Sequence, residues 1–241
     1  MQPYLQKALC QFDNVVPAKC HDSPYPHVEP KYGAKQQFAE YNNFSLVGPE
    51  EQKHIQKVNG KFLWYGQAVD STILTPLSAL ASQQAKPNTE TMKQVKQLFD
   101  YCTTQDPIIL TYHKSNMILA IHSDASYLSK DNARSRAGGH HYLLEDINFP
   151  PNNGAIHNVA KIIKSVMSLA VEAGLGSLYI NAKKGIEEWI ILEEMGHKQP
   201  RTPIQTDNST AEEIINSCIQ PKQTKAMDMQ FHWLHDRTIN Q

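Results

Sequence analysis

The chain lacks the features that mark several large classes of protein. Its cysteines are widely scattered, and no two of them form a CxxC pair of the kind that builds zinc or redox sites: they are Cys10, Cys20, Cys102 and Cys218. No stretch approaches about 20 apolar residues, and residues 1–12 carry neither an apolar signal core nor an Arg-rich amphipathic pattern. We therefore expect a reduced, intracellular protein of the cytoplasm or nucleus, with no membrane segment.

The sequence also has almost no excess of charge of one sign. It contains 23 Lys and Arg against 24 Asp and Glu, which gives a formal net charge of -1. A basic field around the whole protein is thus excluded, and any nucleic-acid binding must come from local patches. There is no internal repeat and no low-complexity tract. The 241 residues, 40% of them hydrophobic, suffice for one large domain or two small ones.

The first half of the chain divides into an arm and a helical region. Residues 17–50 carry five prolines and little apolar periodicity, so we expect residues 1–50 to form an extended arm. Residues 51–106 carry apolar side chains at helical spacing, which predicts a mostly helical region. Two helices are expected over 50–85, and a third begins at Asn88, a favourable N-cap.

From residue 107 onward the pattern predicts an α/β (α+β) domain that extends to residue 241. Two apolar runs on either side of 114–116 have the pattern of a hairpin, and GGHHYLLE and AIHNVAKII are strand-like. An apolar stretch over 165–195 then ends at Gly196, a residue typical of helix ends. The remaining segments, RTPIQTDNSTAEEIINSC and KAMDMQFHWLHDR, predict a short strand and two helices.

The helix that follows the short strand carries two candidate capping boxes. Ser209 with Glu212 and Thr210 with Glu213 both have the required spacing of three residues. Either pair would satisfy backbone N–H groups at the start of the helix. We expect one of them to begin it.

Three aspartates fall where predicted elements begin or end. Asp124 lies in the strand ILAIHSDAS, Asp207 follows PIQT, and Asp228 lies on the final helix. A carboxylate on a core strand requires a partner, and a divalent cation supplies one. Two Mg²⁺ ions about 4 Å apart activate water in phosphodiester cleavage, and Mg²⁺ takes hard oxygen ligands. Spacing alone leaves open that Asp207 only caps its helix and that Asp228 is solvated.

Four blocks, in order, carry a resemblance to a known family: IHSDASYLSKDNARSRAGGHHYL, SVMSLAVEAGLGSLYINAK, LEEMGHKQPRTPIQTDNSTA and KAMDMQFHWLHDR. Together they resemble the ribonuclease H region of copia-type LTR retrotransposon polyproteins. Upstream, IQKVNGKFLWYGQAVDSTILTPLSALASQQA resembles the segment between polymerase and nuclease. PYLQKALCQF and SPYPHVEPKYGAKQQFA resemble the tail of the polymerase, so the likeness spans nearly the whole chain.

The resemblance implies a specific fold, substrate and ligand set. The fold is a ribonuclease H-like mixed sheet with flanking helices, and the reaction is cleavage of the RNA strand of RNA/DNA hybrids. The family holds Mg²⁺ (or Mn²⁺) with Asp, Glu, Asp and Asp. Asp124, Asp207 and Asp228 match the three aspartates and are the expected catalytic and metal-binding residues. A polymerase domain or subunit is an implied partner.

The sequence departs from the family at the glutamate. The family motif resembles Ala-Glu-Ala-Glu-Leu-x-Ala-Leu with its second glutamate as ligand, and here Gly174 stands at that position within VEAGLGSL. Glu172 lies two residues earlier, which is about 200° around a helix, so we expect it to point away from the site. Catalysis should therefore be weakened. The alternative is a non-catalytic nucleic-acid-binding or interaction module that keeps the fold.

The polymerase active site is also missing from the sequence. No Tyr-x-Asp-Asp motif occurs, so the chain is not expected to copy RNA. The chain ends at Gln241, soon after Asp228, which is what we expect of a truncated or decayed element. An unstable relic without function is therefore a third hypothesis.

Other polar residues admit two interpretations. His232 and His235 share a helix face with Asp228, as in a metal site, or they are ordinary surface and packing histidines. The pair His140–His141 lies in a predicted strand, where one ring faces in and the other out, and needs no special role. Four lysines near the long apolar stretch are either phosphate contacts or a solvated face: Lys161, Lys164, Lys183 and Lys184.

Overall fold

The structure is a computed structural model that describes residues 2–26, 44–106, 108–130, 134–147, 151–216 and 228–240, without the side chains of residues 130, 228, 239 and 240. The chain forms two compact units. The helical unit comprises the described residues up to residue 110, and the sheet unit comprises those from residue 111.

The helical unit contains four α-helices among its described residues. They are α1 (Gln2–Gln11), α2 (Pro49–Ala68), α3 (Leu74–Gln83) and α4 (Thr89–Thr104), with a 3₁₀ turn at Ser71–Ile73. The two helices predicted over 50–85 and the helix predicted to follow Asn88 are confirmed. The Asn88 side chain accepts a hydrogen bond from the backbone N–H of Thr91 at 2.9 Å, which is the expected N-cap.

Part of the predicted extended arm is wrong, because residues 2–11 form α1. Apolar residues three and four apart bring Ala8 and Leu9 into the core of the helical unit. The Tyr4 ring packs 4.8 Å from the ring of Trp64, measured between centroids. The prolines of residues 17–50 dominated the prediction and concealed this short periodic segment. Residues 27–43 of the predicted arm lie outside the described residues.

The sheet unit has a mixed α/β fold. Its elements in chain order are β1 (Ile118–Lys130), β2 (Arg134–Leu144), β3 (Ala155–Val166), α5 (Ala170–Glu194), β4 (Ile204–Thr206), α6 (Ser209–Asn216) and α7 (Asp228–Asn240). The strands form a four-stranded mixed sheet in the order β3-β2-β1-β4. β1 pairs antiparallel with β2 and parallel with β4, and β2 pairs antiparallel with β3. The coarse prediction of a mixed sheet with flanking helices is therefore confirmed.

The predicted hairpin across 114–116 is wrong. The described residues before β1, 108–117, contain no strand, and both edges of β1 are taken by β2 and β4. The side chain of Asn153 holds this segment instead. Its Oδ1 accepts from the backbone N–H of His113 at 2.8 Å, and its Nδ2 donates to the His113 carbonyl at 3.0 Å. An apolar run can thus be fixed by a side-chain amide rather than by a strand ladder.

The sequence predicted the end of α5 correctly but not the residue that caps the start of α6. Gly196 follows α5 with φ +89°, so its role as a helix-stop residue is confirmed. At α6 both predicted capping boxes are wrong, because the cap is Asn208. Its Oδ1 accepts from the backbone N–H of Ala211 at 3.0 Å, and Asn208 lies one residue before Ser209 and two before Thr210.

Helix α5 packs along β1 and β2 on one face of the sheet. Leu119, Ile121 and Ser123 are buried, and alternation along the strand places Asp124 on the opposite face. Helices α6 and α7 complete this layer, since the rings of Tyr179 and Trp233 lie 5.2 Å apart. The apolar core of this layer is formed by Ala137, Ile163, Met167, Ala173, Leu175, Leu178, Ala211, Ile215 and Leu234.

Two adjacent glycines in β2 let α5 approach the sheet closely. A Cβ at Gly139 would overlap Oδ1 of Asn181, a fully buried side chain of α5. A Cβ at Gly138 would make only an ordinary 3.7 Å contact with the Asp124 carbonyl. The absence of a side chain at position 139 is therefore a condition for the packing of α5.

We expect Gly139→Ala to lower the free energy of unfolding by about 3 kcal/mol, because overpacking displaces Asn181 from its hydrogen bonds. Gly138→Ala, the matched control one residue earlier, should change it by less than about 1 kcal/mol. Urea unfolding of both variants measures this difference. Equal stability of the two variants would contradict the close approach.

Candidate functional site

The structure places Asp124, in the middle of β1, and Asp207, directly after β4, on two neighbouring parallel strands. Ser123 of β1 is paired in register with Thr206 of β4, and each aspartate follows directly. Adjacent strands lie about 4.8 Å apart, so the two backbones are neighbours. Both aspartates are exposed, and Oδ1 of Asp124 accepts from the backbone N–H of Ala125 at 2.6 Å. Two exposed carboxylates thus lie on neighbouring strands, at the point where β4 ends beside β1.

The first turns of α5 reach the residues that follow β4. A Cβ at Gly174 would lie 2.8 Å from Nδ2 of Asn208 and 3.6 Å from Cβ of Ala211. Position 174 therefore faces the residue that follows Asp207. Positions 124, 174 and 207, three of the four that the family resemblance assigns to metal ligands, thus belong to neighbouring elements, but the Asp124 side chain lies on the face of the sheet opposite α5.

The fourth position is described only by its backbone. Asp228 is the first residue of α7, and α7 packs against α5 and α6, where Nδ1 of His235 lies 2.9 Å from the Ile215 carbonyl. The side chain of Asp228 lies outside the described residues. Among the side chains that are described, no three His, Cys, Asp or Glu residues converge as a metal-binding group. His235 packs against the ring of Phe231, with centroids 5.6 Å apart.

Glu172 is engaged at the start of α5. Its Oε2 accepts from the backbone N–H of Ser168 at 2.7 Å, four residues earlier. A carboxylate at a helix N-terminus satisfies an unpaired N–H group and complements the helix dipole. Glu172 therefore holds the turn that precedes α5, and no described carboxylate substitutes for the family's glutamate at Gly174.

The strand histidines have more structure around them than the sequence indicated. On the face opposite α5, the phenol of Tyr142 hydrogen-bonds Nε2 of His122 at 2.9 Å, and the His140 ring lies 5.3 Å from the Tyr142 ring. Burial, and secondarily the neighbouring His140, lowers the pKa of His122. The imidazole beside Asp124 is therefore held towards its neutral form.

On the α5 face, a buried polar network involving His141 was not predicted. Ser177 of α5 donates to the Asp124 carbonyl at 2.5 Å, and Asn181 donates to the Ser123 hydroxyl at 2.9 Å. His141 is fully buried and contacts both Asn181 and Glu188 of α5. The glycine pair before the histidines was the signal for such a network, because it indicated a close approach to β2.

The four lysines are arranged differently from one another. Lys184 donates to Glu187 at 2.7 Å, and Nζ of Lys183 lies 5.8 Å from the centroid of the Tyr179 ring. Lys161 and Lys164 lie exposed on β3. The pair on α5 thus matches a solvated face, and the pair on β3 remains available as phosphate contacts.

Comparisons with protein-family models, with curated proteins and with solved structures give no match to this chain. None of the described helices is long and apolar enough to cross a bilayer.

The contact between Gly174 and Asn208 gives a stability prediction. Alanine normally stabilises a helix interior by about 1 kcal/mol over glycine, but here its Cβ displaces the amide that caps α6. We expect Gly174→Ala to lower the free energy of unfolding by about 1–2 kcal/mol. Gly176→Ala is the control, because its Cβ would meet the flexible end of Met167 at 3.1 Å and the Ile163 side chain at an ordinary 3.5 Å.

Asn208→Ser shortens the side chain and keeps a capping oxygen. In a double-mutant cycle, the variant Gly174→Ala/Asn208→Ser should therefore lose less unfolding free energy than the two single variants lose together. Thermal or urea unfolding gives all four values. Additive effects would show that the two positions do not touch.

Proposed function

We propose that the sheet unit is a ribonuclease H-like domain derived from a copia-type retrotransposon polyprotein. Its substrate would be the RNA strand of an RNA/DNA hybrid, and its site would be impaired at position 174. The observation that carries the proposal is the in-register placement of Asp124 and Asp207 after the paired residues Ser123 and Thr206. The domain would act inside the cell, with a polymerase domain or subunit as its partner.

The residues present fit a Mg²⁺ ion, since one or two carboxylates with several waters are an ordinary coordination for this metal. Asp124 and Asp207 would hold it, with Asp228 as the third residue. When bound, Mg²⁺ supplies Lewis acidity and favours ionisation of a water molecule. Ser177 holds the backbone of Asp124 through the 2.5 Å hydrogen bond to its carbonyl. Gly174 contributes no ligand, which should slow phosphodiester cleavage by orders of magnitude.

A second candidate function is binding of the hybrid without cleavage. It is favoured by the contact at position 174, where the Asn208 amide fills the space that a side chain would need. Lys161 and Lys164 on β3 would supply phosphate contacts in either case. The two functions differ only in turnover, so one set of variants distinguishes them.

A cleavage assay on RNA/DNA hybrid with Mg²⁺ or Mn²⁺ tests the proposal. We expect weak cleavage by the chain as it stands and none by Asp124→Asn or Asp207→Asn, because each change removes an anionic ligand. Gly174→Glu should raise the rate at least tenfold when combined with Asn208→Ser, which makes room for the new side chain.

The control for the restored ligand is Gly174→Gln in the same Asn208→Ser background. It fills the same space without a charge and should give no gain. Hybrid binding that persists in all variants, with no cleavage in any, would support the binding module instead. If no variant binds or cleaves the hybrid, both functions are excluded.

A further inference from the structure

The buried polar network between α5 and the sheet centres on His141. Its Nε2 lies 3.1 Å from Oδ1 of Asn181, and its Nδ1 lies 2.6 Å from Oε2 of Glu188. The His141 side chain is fully buried and that of Glu188 is 11% exposed. Each ring nitrogen therefore has one polar side chain within hydrogen-bond distance.

The protonation of Nε2 follows from the Asn181 amide. Its Nδ2 lies 2.9 Å from the Gly138 carbonyl, and a carbonyl oxygen only accepts hydrogen bonds. This fixes the amide orientation, so Oδ1 faces His141 and must itself accept. Nε2 of His141 therefore carries a hydrogen.

Nδ1 of His141 must then either carry a proton itself or accept a hydrogen bond from a protonated Glu188. With hydrogen on Nε2, Nδ1 of a neutral ring presents a lone pair to Glu188 at 2.6 Å. A carboxylate there would place lone pair against lone pair in a buried site. Oε1 of Glu188 has no hydrogen-bond partner among the described residues, so an anion here would lack the hydrogen bonds that stabilise a buried carboxylate. One proton must lie between the two groups, on the ring or on the carboxyl.

We infer that folding of the sheet unit traps one proton in the His141–Glu188 pair, so that the packing of α5 on the sheet weakens as the pH rises above neutrality. In an unfolded chain, histidine is neutral above about pH 6.5 and glutamate is ionised. The folded state thus binds one more proton than the unfolded state. Stability falls with pH wherever the folded state binds more protons.

The groups that face the pair do not reproduce this effect. From β3, the His157 ring lies 5.5 Å from the His141 ring; from β1, Ile121 faces the same layer; from α5 itself come Lys184 and Glu187. Burial lowers the pKa of His157, so its contribution is present above about pH 6.5 and is lost as the pH falls. That sign is opposite to the effect of the pair. Lys184 lowers the pKa of Glu187, which acts only in the acid range.

The test is urea unfolding of the full chain between pH 6.5 and pH 8.5. One trapped proton makes the unfolding constant rise with pH in this range, by a factor that approaches ten per pH unit once unfolded histidine is mostly neutral, above about pH 7.5. Glu188→Gln should remove this slope, because a glutamine N–H can donate to Nδ1 of the neutral ring without any extra proton. Glu187→Gln is the matched control one residue earlier; it also removes a carboxylate and should leave the slope unchanged.

A second measurement reads the proton directly in the folded chain. Nitrogen-15 NMR of labelled histidine at pH 7.5 should show His141 either doubly protonated or protonated on Nε2 with a strong hydrogen bond at Nδ1 from a carboxyl proton. A slope that persists in Glu188→Gln would overturn the inference. So would a neutral His141 beside an ionised Glu188 in the folded chain.

Discussion

The close approach of α5 to β2 is the constraint on which the sheet unit depends. Position 139 has no side chain, and the Asn181 amide occupies the space that a Cβ would need. This brings a polar stripe of α5, rather than an apolar one, onto the middle of the sheet. Buried polar groups are stable only when they are fully hydrogen-bonded, so each of these side chains fixes the next.

The candidate site depends on the same contact. Ser177 donates to the Asp124 backbone carbonyl and Asn181 to the Ser123 hydroxyl, so both attach α5 to β1 beside the exposed carboxylate. Three residues before Ser177, Gly174 lies against Asn208 and so joins the start of α5 to the start of α6. A single helix thus sets the distance between the strand that carries Asp124 and the turn that carries Asp207.

Periodicity predicted the longer elements, which bury one face and expose the other. α4 with its Asn88 cap, the strands β2 and β3, and the end of α5 at Gly196 all follow from local pattern. The errors occurred where the local structure depends on particular side-chain hydrogen bonds that apolar periodicity does not reveal. Residues 108–117 looked like a strand, but the Asn153 side chain holds them, and Asn208 caps α6 although two capping boxes followed it.

At the candidate site, the family resemblance identified positions that pattern alone could not connect. Strand pairing brings residues 124 and 207 together across about 80 intervening positions, which no local signal encodes. The role of His141 was missed for a different reason. Alternation correctly predicted one ring in and one ring out, but the partners of the inward ring lie on a helix some 40 residues later.

The parallel pairing of β4 has a consequence for how the two carboxylates stay together. β1, β2 and β3 are joined by antiparallel neighbours close in sequence, whereas β4 has three residues and returns only after α5 has crossed the sheet. Among the strand pairings of this sheet, the pairing of β4 with β1 spans the longest intervening stretch of chain and joins the fewest residues, so it has the largest loop-closure cost for the fewest hydrogen bonds. A local opening that frees β4 and the start of α6 would separate Asp207 from Asp124 while the three-stranded meander stays intact.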